Sequence, residues 1–564
     1  MILASQEKIE AYTARGWWGN QTLWEIFCQN VSRHPSREAV VDAPNRLDFT
    51  DGTPRRLTYA DLADEADRHT SVLQAIGLRK DDVIVVQLPN GVEQFALYLA
   101  CARLGIIVSP VPIQYREHEL TYILGHVEAR AIATSVRIGK HAHAEMMLKL
   151  KQSIPTVSHV LAYGDAVPYG ACDMHSLLAL PAYLQRMEAT VCANDIFTIC
   201  WTSGTEARPK GVPRSHNEWL VVAPNIIAAA QLKPGCRLLN PFPFVNMAGI
   251  STNFAGWALL GATVVQHQPF SLAIFLQQVR TERIQYTVAA PAVLNMLLQD
   301  TQLLDGIDFT TLCTLGSGSA PLSEWMVRSF HEKYGVQIVN YFGSNEGAAL
   351  TGSAFDIPDP ELRAKFFPRP GVSGYASSIP VPTKVETRLV DIDSETLITE
   401  PGVVGELRFR GPAIFSQYWR DPERTERAFD ADGFYRSGDL FEIAGDSGQF
   451  YKYVGRAKDL VIRGGMNISP EEIESLIQSH PAVVEVAVVG YPDKTLGERV
   501  CAFVALREHA TLTLPDLVDY LRTTHRIASF KLPERLLIVN ALPRNPVGKI
   551  LKRDLRSQLP AEAA

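Results

Sequence analysis

The sequence has no surplus of basic residues: 54 lysines and arginines face 61 aspartates and glutamates, for a formal net charge of −7. That balance excludes a chain that tracks nucleic-acid phosphates and makes any phosphate site a local one. Cysteine is sparse. The eight cysteines, at 28, 101, 172, 192, 200, 236, 313 and 501, are scattered, with no C-x-x-C pair and no Cys/His cluster at metal-ligand spacing. Neither a disulfide framework nor a zinc site is expected, and they read as reduced cytosolic thiols that mostly fill the core. An apolar h-region is missing near the N-terminus, where MILASQEKIE mixes charge with polarity, so no secretory signal is read there. The closing PAEAA matches no address signal. A clean membrane-length hydrophobic run is lacking as well. The nearest candidate, Phe95 to Ile113, carries Arg103 and is broken by Gly105, Pro110 and Pro112, which predicts a buried helix running into a strand. Internal repeats and low-complexity tracts are also lacking.

What is present is the composition of an ordinary soluble enzyme, 564 residues with 46% hydrophobic and 20% charged. That length exceeds what a single core usually organises, so two or more structural units are expected. Short β-branched runs alternate with amphipathic helical patterns, as in βαβ units built on parallel sheets. Val83 to Val86 reads as a buried strand followed by a helix over Gln94 to Arg103. A second unit starts at Thr311 and passes through Gly316-Ser317-Gly318. It continues into a helix with Leu322, Met326, Phe330 and Tyr334 on one face, ends at Gly335, and is followed by a strand over Val336 to Val339.

The C-terminal stretch has another texture. Ser469-Pro470-Glu471-Glu472 reads as an N-cap, an N1 proline and a capping-box glutamate. Val483 to Val489, Val500 to Leu506 and Leu536 to Val539 read as strands, with a helix from Pro515 to Arg522 between the last two. This is a small α+β module attached to a large α/β body.

Chemistry concentrates first at Thr202-Ser203-Gly204-Thr205-Glu206-Ala207-Arg208-Pro209-Lys210-Gly211, directly after the apolar run Ile196 to Trp201. A strand that empties into hydroxyls, glycine and a lysine offers N–H and O–H donors and a cation to a polyphosphate. It is not a Walker A loop, because Pro209 precedes Lys210 and Gly211 follows it. Taken alone, such a cluster reads first as a polar hairpin connection.

Four more segments accompany it: Tyr341-Phe342-Gly343-Ser344-Asn345-Glu346-Gly347, Tyr435-Arg436-Ser437-Gly438-Asp439, Gly455-Arg456-Ala457-Lys458-Asp459 and Pro546-Val547-Gly548-Lys549. With the first loop, and in this order and spacing, they resemble the adenylate-forming superfamily of acyl-CoA synthetases, aryl-acid and amino-acid adenylation domains, and firefly luciferase. The resemblance runs from Thr22 to Arg556. It implies a large N-terminal domain, residues 1–457, of two doubly wound α/β subdomains plus a small β-barrel. A small mobile α+β domain, residues 458–564, follows, with its hinge at Lys458.

The resemblance also implies roles. Thr202, Ser203, Gly204, Thr205 and Lys210 would hold ATP phosphates, with Gly318, Ser319, Ala320, Tyr341, Phe342, Gly343 and Asn345 around the nucleotide. Phe342, usually tyrosine in the family, would stack on adenine. Asp439 would accept the ribose hydroxyls beside Arg456. Glu346, helped by Thr202, would hold the Mg²⁺ that bridges ATP phosphates. Lys549 would stand between carboxylate and α-phosphate as charge builds in the transition state. Gly464 and Gly465 would let a pantetheine arm approach the backbone in a second, thiol-dependent step. Glu206 and Ala207 stand where Thr-Gly is usual.

The acid pocket would be lined by Asn246, Ser251, Gly316, Ser317 and Gly347, walls that suit a flat or ring-shaped, weakly polar acid. Asn246 reads with equal weight as a turn or capping residue. The expected activity is ATP-dependent conversion of an aromatic, cyclic or medium-sized hydrophobic acid to acyl-AMP with release of pyrophosphate, then transfer to coenzyme A. The alternatives are a stand-alone enzyme that loads a carrier protein's phosphopantetheine, and a non-catalytic nucleotide-binding relative. Beyond the acid and the thiol, the implied partners include no nucleic acid and no membrane span, with a homodimer allowed, and the expected location is cytoplasmic.

Overall fold

The alternation of β-branched runs with helices resolves into two largely parallel sheets. A computed structural model of the chain describes residues 1–184, 190–202, 208–372, 384–463, 466–493, 495–545 and 548–559. One sheet has seven strands in the order Lys210–Ser215, Ile196–Thr202, Ile107–Pro110, Val83–Gln87, Ala131–Ser135, His159–Tyr163 and Cys172–Asp173. Only its first pair is antiparallel. Val83–Gln87 lies inside this sheet and is buried along its whole length, which is why it reads as an uninterrupted apolar run.

The other sheet has eight strands, in the order Ala349–Gly352, Gln337–Gly343, Thr314–Gly318, Tyr286–Val288, Arg237–Asn240, Thr263–Gln266, Glu38–Val41 and Arg56–Thr58. Antiparallel strands sit at both edges and the rest run parallel. The helix Val92–Leu104 joins the two sheets through one apolar core, which collects Phe95, Phe197, Trp219, Phe254 and Trp257. This is the helix-into-strand reading of the longest hydrophobic stretch: Gly105 caps the helix in the left-handed region at φ 70° and Ile107–Pro110 follows as a strand. Arg103 escapes the core by pairing with Asp67 and lying over the Trp24 ring at 4.8 Å. Among the described residues no helix is long and apolar enough to cross a membrane.

The third unit of the large domain is a five-stranded antiparallel sheet, in the order Phe366–Pro368, Phe450–Arg456, Tyr435–Ala444, Val404–Arg410 and Glu386–Val390. The resemblance implies a small barrel here. Among the described residues the two edge strands do not pair with one another.

In the C-terminal module, Val483–Asp493 and Gly497–Leu506 form a long antiparallel pair, with Arg535–Ile538 parallel beside the latter. Two strands that the sequence pattern does not reveal, Val461–Arg463 and Met466–Ile468, complete its sheet. Each is only three residues long, too short for a legible alternation. Ser469 caps the helix Pro470–Gln478 by accepting from the Glu472 N–H. The capping box stays half made, because the Glu472 carboxylate turns to Lys531 at 2.8 Å. Leu322, expected on a helix, precedes the Ser323 cap of Glu324–Tyr334. All eight cysteines are free; Cys101, Cys200, Cys236 and Cys501 are core residues, whereas Cys313 is exposed.

Candidate active site

Strand register brings two of the expected phosphate-binding residues together, since Thr202 at the end of one strand pairs with Lys210 at the start of its antiparallel neighbour. Ser203, Gly204 and Thr205, with Glu206 and Ala207, lie outside the described residues. Lys210 Nζ stands 5.2 Å from the centroid of the Tyr418 ring. The Tyr418 hydroxyl in turn donates to Glu346 Oε1 at 3.1 Å, so one phenol separates a cation from a buried carboxylate. Burial and the Glu346 charge push the Tyr418 phenol well above its ordinary range, which keeps it a donor.

Glu346 is held from behind as well. Its carbonyl accepts from Phe415 N–H at 2.9 Å. Gly347 has φ 99°, and a Cβ there would fall 1.8 Å from Ala413 O, so only glycine fits. Glu346 Oε2 has no protein partner among the described residues, and no group of three potential metal ligands is found among them. That combination suits a hard cation brought in on phosphate oxygens and needing one protein carboxylate, rather than an all-protein cage.

Asn345 ties two segments to this wall. Its Nδ2 donates to Trp201 O at 3.3 Å, and its Oδ1 accepts from Met247 N–H at 2.8 Å. It thereby fixes the end of the strand Ile196–Thr202 against the segment that carries Asn246. Behind it, the fully buried Arg214 donates to the carbonyls of Asn345 at 2.9 Å, Glu218 at 2.7 Å and Ala413 at 3.0 Å.

Tyr341 and Phe342 are adjacent in one strand and therefore face opposite ways. Phe342 joins an aromatic group on the five-stranded sheet: Phe441 at 5.2 Å, Tyr453 at 6.0 Å and Phe409 at 6.3 Å between ring centroids. Its ring is only half-buried. Tyr341 packs instead on the main core beside Tyr286, so the structure separates two residues that the motif groups around the nucleotide.

The glycine run is similarly divided. Gly316 and Gly318 lie against Tyr341 with no room for a Cβ, whereas Ser317 is fully buried and donates to Ala289 O at 2.9 Å. Ser319, at φ 67°, and Ala320 are exposed at the turn beyond the strand. Asn246 takes the capping role, its Oδ1 accepting from Gly249 N–H at 3.2 Å, while its half-buried amide nitrogen has no protein partner among the described residues. Ser251 donates to Met247 O at 2.6 Å and opens a buried π-helical turn, Ser251–Gly256.

Asp439 and Arg456 face each other across antiparallel strands and pair at 2.9 Å. The preceding turn is held by Glu406, which accepts from Gly438 N–H at 2.9 Å and from the buried Arg408 at 2.7 Å. Burial pushes the Asp439 carboxyl up to about 6, against the opposing pull of Arg456 and Lys549. Lys549, from the C-terminal module, thus stands within electrostatic reach of Asp439 in the large domain. The crowding of protein around it lowers its ammonium to about 8, with Arg456 and Lys458 pushing the same way and Asp439 and Asp459 opposing. Its backbone N–H is fixed by Asn545 Oδ1 at 2.8 Å. Lys458 lies in the turn Ala457–Asp459 and is lowered first by burial and then by Arg456, with Lys210 a smaller contributor. Gly464 and Gly465 lie outside the described residues.

Sequence reasoning missed Tyr418, Arg214 as a buried brace, Glu406 and Tyr286. Each comes from a distant stretch and acts through tertiary contact, so no local pattern marks it. Strand alternation alone could have separated Tyr341 from Phe342.

Comparison with known proteins places these features in context. Residues 27–419 match the AMP-binding enzyme family, and residues 472–549 match the AMP-binding enzyme C-terminal domain. The medium-chain fatty-acid–CoA ligase of Escherichia coli K12 is 29% identical, over 98% of this chain and 93% of its own length. The 2-hydroxy-7-methoxy-5-methyl-1-naphthoate–CoA ligase of Streptomyces carzinostaticus is 31% identical, over 97% and 94%. Among solved structures, ATP-bound MatB from Rhodopseudomonas palustris superposes with a TM-score of 0.77 at 26% identity, covering 95% of this chain and 99% of that one.

Proposed function

The chain belongs to the AMP-binding enzyme family, and from that premise we propose that it activates an aromatic, cyclic or medium-sized hydrophobic carboxylic acid. It is an AMP-forming acid–thiol ligase that uses ATP and coenzyme A. The acid's carboxylate oxygen attacks the α-phosphorus of ATP and the bond to pyrophosphate breaks. The thiol sulfur then attacks the acyl carbonyl of the acyl-AMP and AMP leaves.

The observation that supports our residue assignment is Lys549, carried on the C-terminal module yet electrostatically coupled to Asp439 and Arg456 of the large domain. Two anions must meet in the first step, and a cation held among protein atoms acts on that barrier more strongly than one in water. We assign Asp439 and Arg456 to the ribose and phosphate, Phe342 to adenine, and Thr202 and Lys210 to the phosphates. Glu346, with Thr202, would hold Mg²⁺ arriving with ATP, and that ion would neutralise phosphate charge. Asn246 and Met247 would border the acid. The module boundary is assigned at 457/458, with Lys458 as pivot.

Acid-dependent ATP–pyrophosphate exchange across aryl, alicyclic and fatty acids tests the first step without assuming an acceptor. The preferred ring-shaped or medium-sized hydrophobic acids should support exchange, and long-chain acids much less. Supplying the acyl-AMP with coenzyme A or with a phosphopantetheinylated carrier protein then tests the acceptor, and coenzyme A is expected to be faster. Exchange with no acid at all would refute the proposal.

A further inference from the structure

On one face of the eight-stranded sheet, Tyr286, Val288, Gly316, Gly318 and Tyr341 come together. Register sets Val288 beside Gly316, and Gly318 beside Tyr341. The missing side chain at Gly316 is what admits the rings, since a Cβ there would lie 2.5 Å from the Tyr286 hydroxyl and 2.7 Å from the Tyr341 ring, and Gly318 admits the Tyr341 backbone, whose carbonyl oxygen a Cβ would approach to 2.2 Å. The two hydroxyls meet at 3.0 Å, with Tyr286 donating. Tyr286 is fully buried, so its proton is used inside the protein. Tyr341 accepts that proton, and its own hydroxyl hydrogen has no acceptor among the described residues. Tyr341, Met247, Val288 and Ile227 all pack on the core while remaining only partly covered. Met247 is pinned to the active-site wall through Asn345.

We infer that this tyrosine pair reads a hydrogen-bond acceptor on the acid: Tyr341 donates to a hydroxyl, methoxy or carbonyl oxygen on an otherwise apolar ring, and Tyr286 fixes Tyr341 for that contact. The inference rests on the acid-activation reading above and narrows its substrate class. A phenol half-buried among apolar side chains favours an acid that supplies the missing acceptor over one that leaves the donor dry. Tyr341 would contact the acid, and Tyr286 is a positioning residue acting through it.

The test is pyrophosphate exchange with matched acids: benzoate, cyclohexanecarboxylate and naphthoate against their hydroxy- and methoxy-substituted counterparts, for the wild type, Tyr341→Phe and Tyr286→Phe. In the wild type, at least one substituted acid is favoured over its parent by about tenfold or more in kcat/KM. Tyr341→Phe, which keeps the ring, collapses that ratio to near unity. Tyr286→Phe lowers it in part, chiefly by raising KM for the substituted acid. A ratio that survives in Tyr341→Phe, or no preference in any wild-type pair, overturns the inference while the activation reading stands. Exchange with none of these acids, nor with fatty acids, overturns both.

Discussion

Under the proposed assignment, two side chains would set the pH window of the first step from opposite directions. Asp439 would have to be ionised to accept ribose hydroxyls, and burial has raised it to about 6 in the company of Arg456, Lys549 and Glu346. It therefore loses charge as pH falls through about 6. Lys549 would have to be protonated to act between two anions, and burial, helped by Arg456 and Lys458 and opposed by Asp439 and Asp459, has lowered it to about 8. It therefore loses charge as pH rises through about 8. The expected profile of kcat/KM for ATP in the exchange reaction is a bell with limbs near these values, because that parameter reports the free enzyme. Lys549→Arg should push the alkaline limb upward, since a guanidinium does not deprotonate in this range. A flat profile from pH 5 to pH 9 would remove both assignments. Lys549 and Asp439 were legible as residues because each sits in a short motif. Their perturbed affinities were not, since these arise from neighbours contributed by other strands and by the other domain.

At the scale of elements, the site is a set of strand ends braced against one another. The Asn345 amide joins the end of Ile196–Thr202 to the Asn246–Met247 segment. Asn345→Ala removes both bonds, at about 1 kcal/mol each, and should raise KM for acid by roughly tenfold while melting temperature falls only slightly. A KM unchanged by this substitution would mean that the two segments hold their spacing by other contacts. The family resemblance implies Asn345 near the nucleotide and has no means of showing that its side chain reaches in two directions. Likewise, the motif containing Tyr341 and Phe342 was easy to find. Only the strand on which it lies, with its alternating faces, sends one ring to Phe441 and Tyr453 and the other to Tyr286. The helices and buried strands were the most readable parts, as with Val83–Gln87 and Val92–Leu104, because burial on all sides leaves an apolar signature that does not depend on distant partners. The strands flanking Gly464 and Gly465 were the least readable.

Across the whole molecule, the proposed chemistry would have the small module bring Lys549 to a site built by the large domain and then give way to a thiol. The turn Ala457–Asp459 is the place where that motion would pivot. Lys458→Pro fixes φ there and should uncouple the half-reactions, retaining one and slowing the other by at least about tenfold, as read by pyrophosphate exchange and by thiolysis of preformed acyl-AMP. Equal rates in both would move the pivot elsewhere. The most direct measurement concerns Lys549 itself, in the same two assays. Lys549→Ala is predicted to lower acid-dependent exchange by about a hundredfold to a thousandfold while thiolysis of supplied acyl-AMP stays within about threefold of wild type. Equal loss in both half-reactions, or full exchange without the lysine, would contradict it.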